Sequence, residues 1–314
     1  MLLSISTSRS LLRSASALSA PSIGPASLSC SYSSRRRSAL PAASRLFSTA
    51  RTATDQPKQR GVPANASDAA ERTLQRFWRN VSVQLHPATN LPAHYTIHLD
   101  QRALRTPSAN VLRIPADQGL LAGLIAQEWH EQRTVLKPHA LPLTSLVARS
   151  IDGLSSDSVR KGVCEGLLHY LDTDTILFHE DEPHQLVRLQ DERWQPLLDW
   201  ASNHFNQPIT IYKSLFNTSQ PEPTRAAFLA HILTLPPLRL AAFERAVLSS
   251  KSFLIALGLL EGKLSVDDAG RAAEVEVASQ IERWGEVEDT HDVDYHDIRR
   301  QLGSVSIVLA PPVK

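Results

Sequence analysis

The hydrophobic pattern of the chain changes period near residue 115, and that change limits what it can fold into. Between Phe77 and Ile114 the apolar residues tend to alternate. Trp78, Val81, Val83 and Leu85 lie in a β-prone run, Tyr95, Ile97 and Leu99 recur at every second position, and Val111, Leu112 and Ile114 give another short strand. Period two places such side chains on one face of a strand. Residues 87–92 are turn-rich, and Asp100-Gln101 is expected to turn the chain so that residues 102–105 return. This region reads as a small meander or hairpin sheet.

From Leu120 onward the spacing is helical. Leu120, Leu121, Leu124, Ile125 and Trp129 form one apolar stripe, with Asp117 as its expected cap. A Pro/Leu-rich crossing follows at 136–146. A second helix is expected over 155–170, on Val159, Val163, Leu167 and Leu171, and a third around Leu186, Leu189, Trp194, Leu197 and Leu198. Two more are expected over 224–233 and 238–260, the latter opened by Pro236-Pro237 and closed by Gly262. Ser265-x-x-Asp268 is a capping box for a helix over 266–284. A last short helix is expected over 291–302, and the β-branched run 304–309 as a final strand. The fold class is therefore α+β: a small, mainly antiparallel N-terminal sheet domain with a helix (73–153), a larger all-helical domain (154–302), and a C-terminal strand or tail (303–314).

The N-terminal 54 residues differ from all of this. They carry seven arginines (Arg9, Arg13, Arg35, Arg36, Arg37, Arg45 and Arg51), many serines and no Asp or Glu. That composition is the signature of a mitochondrial transit peptide, and the stretch 45–48 resembles a matrix-protease cleavage signal. Residues 55–72 read as a flexible linker. Without the seven arginines, 26 basic residues face 32 acidic ones, a net charge of −6. A mildly acidic body does not suit nucleic acid. Cys30 lies in the presequence and Cys164 stands alone, so neither a disulfide framework nor a Cys-rich zinc site is expected. No apolar run reaches the length of a membrane span.

Signals for chemistry are weak. Residues 258–263 look like a shortened phosphate loop, but they sit at a helix end and read as a glycine cap. There is no G-x-G-x-x-G and no G-x-S-x-G, and Cys164 falls inside a helix. Asp292 and His296 would be i, i+4 neighbours, yet a solvated helix start explains them more simply than a metal. Asp172 and Asp174 form one carboxylate pair; Glu286, Glu288 and Asp289 form a second cluster. The second leaves open a small-molecule hydrolase that uses those carboxylates.

Several stretches, taken together, are similar to one family. Residues 76–83 (RFWRNVSV), 99–107 (LDQRALRTP), Glu128-Trp129, 171–176 (LDTDTI), the spaced pattern from Leu189 to Trp200 and the pattern from Trp284 to Asp292 occur in order. They resemble the mitochondrial chaperones that assemble the catalytic head of ATP synthase by holding its free α subunit. The resemblance spans roughly residues 74–305. It implies a monomeric matrix protein whose partner is the unassembled α subunit, with no enzyme activity, cofactor, metal, nucleic acid or membrane insertion of its own. It singles out Glu288 within an acidic corner with Glu286 and Asp289, either as a contact to the client or as a cap on the following helix. Trp129, Asp172, Asp174, Trp194, Trp284 and Gly285 are expected to be structural, with Trp129 locking its helix onto the sheet and Gly285 taking a left-handed helix end.

Overall fold

In the computed structural model the described residues are 75–214, 216, 218–287 and 290–311; the expected presequence, linker, Glu288 and Asp289 lie outside them. The alternating segment forms a sheet centred on β2 (His94–Leu99). β1 (Val81–His86) pairs antiparallel along one edge of β2, while β3 (Arg102–Ala103) and β4 (Arg113–Pro115) share the other edge. The register sets Val81, Val83 and Leu85 opposite Leu99, Ile97 and Tyr95, so apolar side chains meet on one face. Asp100 makes the expected turn at φ 55°. Its carboxylate accepts from the N–H groups of Asn80 (2.8 Å) and Arg79 (3.1 Å), which hold its pKa below the usual carboxylate range.

Helix α1 (Gly119–His130) lies on this sheet and buries Leu121, Ala122, Ile125 and Trp129. Leu120 is exposed instead of joining the stripe, and the helix starts at Gln118 without a side-chain cap, so Asp117 does not serve as one. Helices α2 (Pro142–Asp152) and α3 (Asp157–Asp172) follow. α3 opens on Ser156, whose hydroxyl accepts from Val159 N–H, and its buried stripe is Cys164, Leu167, Leu168 and Leu171. Val159 faces solvent.

Each of the three long helices expected next is broken in two. α4 (His184–Arg193) and α5 (Gln195–Phe205) meet at Trp194, because Pro196 has no N–H for the carbonyl four residues back. After α6 (Glu222–Leu233), α7 (Pro237–Ser250) stops where Lys251 turns left-handed at φ 55°. Ser252 then caps α8 (Phe253–Leu260), its hydroxyl accepting from Ile255 N–H at 3.0 Å. α9 (Val266–Ala273) opens on Ser265, as the capping box requires, and gives way to α10 (Val275–Trp284) at the non-helical Glu274.

The expected strand at 304–309 is not formed. α11 (Thr290–Leu309) is one helix of 20 residues. Leu302, Val305 and Val308 continue a helical stripe that packs on α7 and α9, and that packing overrides the β propensity of a branched run. No helix among the described residues is long and apolar enough to cross a membrane.

Candidate functional site

Two kinds of residue emerge from the singled-out set. One kind fastens the fold. Glu128 accepts from the N–H groups of Leu143 (2.7 Å) and Thr144 (2.9 Å), so a carboxylate on α1 caps the start of α2. Beside it Trp129 is 9% exposed; its indole N–H donates to Thr144 Oγ1 at 3.0 Å, and its ring lies 5.1 Å from that of Trp78. Trp78 in turn donates to Trp129 O at 3.3 Å. Asp174 repeats the device. It is fully buried and accepts from Ile176 N–H (3.2 Å) and from Leu254 N–H (2.9 Å) at the start of α8. The break after α7 creates that helix start, with Ser252 O–H and Phe253 N–H also turned toward the carboxylate. Burial pushes the Asp174 pKa up to about 6 against these donors. Asp172 pairs with Arg225 and accepts from Gln220 N–H at 3.1 Å. Trp194 is buried and donates to Ala272 O at 2.7 Å.

The other kind is turned outward, at the corner between α10 and α11. Gly285 ends α10 at φ 87° and ψ 166°. The expected left-handed helical end is thus replaced by an extended, positive-φ conformation that only glycine adopts readily. Its N–H donates to Ile281 O at 2.8 Å. The corner is then latched, since Val287 N–H donates to His291 Nδ1 at 3.0 Å and His291 N–H donates back to Val287 O at 3.3 Å. Glu286 is exposed. Trp284, expected to be structural, is 69% exposed under the Arg283 guanidinium; Val287 is 59% and Val293 64% exposed. Residues 292–297 of α11 face solvent on every side, so the first turns of that helix project from the body.

The base of this projection is fixed. Arg299 reaches Glu274 (2.8 Å) and Asp267 (3.3 Å) and lies 3.4 Å from the Tyr295 ring centroid. A Cβ on Gly270 would come within 3.1 Å of that guanidinium, so a side chain there would crowd it. On the other side Arg188 holds Glu282 at 2.7 Å and Glu192 at 3.0 Å, tying α10 to α4. The corner therefore offers apolar groups and carboxylates above a base tied by ion pairs. Asp292 and His296 are both exposed, and among the described residues no group of three His, Cys, Asp or Glu side chains is arranged to hold a metal ion.

Sequence reasoning located this corner through its acids and overlooked its apolar content. The signal was present: Val293 falls outside the stripe Ile298, Leu302, Val305 and Leu309, so helical packing does not account for it.

The family model described as ATP12 chaperone protein matches residues 75–202, which include Trp129, Asp172, Asp174 and Trp194 but not the corner. The mitochondrial protein atp12 of Schizosaccharomyces pombe is 32% identical over 251 residues, covering 77% of this chain and 84% of that one. The mitochondrial protein ATP12 of Saccharomyces cerevisiae is also 32% identical, over 298 residues, covering 81% of this chain and 89% of that one. Among solved structures, Atp12 from Paracoccus denitrificans superposes with a TM-score of 0.63 at 28% identity, over 76% of this chain and 97% of that chain.

Proposed function

The chain belongs to the ATP12 chaperone family, and from that membership we propose that it is an assembly factor for the catalytic head of mitochondrial ATP synthase. It works in the matrix as a monomer. It binds the unassembled α subunit, keeps it from aggregating, and yields it when β subunits arrive. It does so without catalysis, cofactor or nucleotide of its own. Residues 73–153 serve as its sheet domain, and the helical part from residue 154 runs on to the end of α11 at Leu309.

Beside that membership, the observation that supports this reading is the α10–α11 corner, where Trp284, Val287 and Val293 are exposed next to ion-paired helices. A free subunit awaiting assembly exposes an apolar interface that aggregates. Covering it reversibly calls for a surface that mixes apolar and polar groups. Glu286, Glu288 and Asp289 supply the charge at the same corner. Carboxylates there orient a basic patch on the client and set the association rate more than the bulk affinity. Glu286 is exposed to solvent, which favours a contact surface over a hydrolase that uses this cluster.

The test is direct. Purified α subunit is diluted from denaturant with and without the mature protein while light scattering is followed. Suppression of scattering, with a complex on gel filtration, is the expected result. Unchanged scattering and no complex would refute the proposal.

A further inference from the structure

A groove of about 520 Å³ opens on the sheet side of the molecule, formed in part by the first described residues and β3. Trp78, Leu99, Leu104, Trp129 and Leu136 line it, and Phe77, 65% exposed, stands at its lip. Its shape is built in. Arg76 donates to Gln132 O (2.6 Å) and to Trp78 O (3.1 Å), and a β-bridge joins Gln75 to Val135. The volume is that of a small binding pocket, lined mainly by apolar side chains.

Two guanidiniums mark the groove. Arg102 and Arg105 belong to its lining and are both exposed. Arg105 donates one N–H to Ala109 O at 2.7 Å and makes no other hydrogen bond among the described residues. Neither arginine forms an ion pair among the described residues. The surrounding segment has the same sign: residues 75–115 carry five arginines, no lysine, and Asp100 as the one acid. The opposite holds at the α10–α11 corner, where residues 284–297 carry six carboxylates and no Lys or Arg. On a protein segment the anion that a guanidinium pairs with is a carboxylate, through two parallel hydrogen bonds.

We propose that this groove is a second docking surface, occupied by a segment of the client that presents a large apolar side chain flanked by carboxylates. The assignment of that segment to the client rests on the chaperone reading above. The groove takes the apolar side chain, and Arg102 and Arg105 take the flanking acids. The acidic corner takes a basic part of the same client. Two surfaces of opposite charge admit one orientation of the client and repel the reverse one, which gives specificity without an obligate interface.

The test uses the mature chain from residue 48, labelled with ¹⁵N, and two probes: acetyl-Asp-Leu-Phe-Asp-amide and acetyl-Lys-Leu-Phe-Lys-amide. The chain has five tryptophans, so five indole N–H resonances report, and two of them belong to the groove. The acidic peptide should shift the Trp78 and Trp129 signals, and the basic peptide should not. The double variant Arg102→Glu/Arg105→Glu should lose that response at unchanged melting temperature, and its capture of α subunit should fall about tenfold. No shift, or equal shifts with both peptides, would overturn the proposal. A response that appears only when residues 48–74 are also removed would show that the chain's own segment fills the groove, and would overturn it too. Peptide binding with capture indifferent to the double variant would remove the client as occupant. If wild-type protein captures no α subunit at all, the assembly reading fails, while the peptide titration still decides the groove.

Discussion

Replacing Asp174 by Asn isolates the electrostatic consequence of a buried carboxylate at the start of α8. In the folded protein its pKa is pushed up to about 6 by burial, against an ordinary value of 3.8. A raised folded-state pKa means that the native state holds the proton more tightly than the unfolded chain. The stability linked to this group is complete below pH 3.8 and is lost as pH rises through 6. The gap corresponds to about 3 kcal/mol. Asn titrates with neither state, so the difference, wild type minus Asp174→Asn, should fall by about 3 kcal/mol between pH 3.5 and pH 7. The amide also turns an N–H toward one of the backbone donors, which adds an offset that does not vary with pH. Asp100 and Asp152, whose pKa values are lowered by their hydrogen bonds, act in the opposite sense, losing stability as pH falls, but they are common to both proteins and cancel. Urea denaturation at half-unit pH intervals measures the difference. A flat difference, or one that rises with pH, would refute the reasoning, because the donors from Ile176, Leu254, Ser252 and Phe253 would then outweigh burial.

Two further outcomes are expected. Trp129→Ala removes a buried indole that packs on Trp78 and donates to Thr144, at a cost of roughly 3–5 kcal/mol. For a body of this size that lowers the melting temperature by about 6–20 °C, and soluble yield should fall with it; normal melting with lost client capture would make Trp129 a surface anchor instead. Deleting residues 2–47 should leave a folded protein in the cytosol, whereas an intact Met1 found by mass spectrometry on organelle-purified protein would sink the presequence.

The sheet was legible because alternation is local: Tyr95, Ile97 and Leu99 declare one face of a strand without reference to anything else. Most helix positions were legible for the same reason, but α2 (Pro142–Asp152) was not, because it begins inside the Pro/Leu-rich stretch 136–146. Their interruptions were less so. Lys251 in a left-handed conformation and the break at Glu274 depend on partners far along the chain, since Asp174 meets the new helix start at Leu254 and Arg299 meets Glu274. Pro196 does write one break into the sequence, but the helical spacing from Leu186 to Leu198 ran across it. The run 304–309 misled because branched residues favour strands until a helical stripe finds a packing partner. At the corner, Gly285 and the acids were visible, but the outward turn of Trp284 was not. An aromatic at a helix end suggests core, yet Trp284 is 69% exposed.

The central claim is that the acidic corner contacts the client, and one pair of substitutions tests it most directly. Glu288→Lys and Glu288→Gln are each measured for melting temperature and for capture of α subunit on gel filtration. Glu288→Lys should abolish capture with folding nearly intact, and Glu288→Gln should weaken capture more mildly, as expected of a charged contact at an interface. Capture that falls only in step with melting temperature would contradict the claim, and would make Glu288 a cap on α11 rather than a contact.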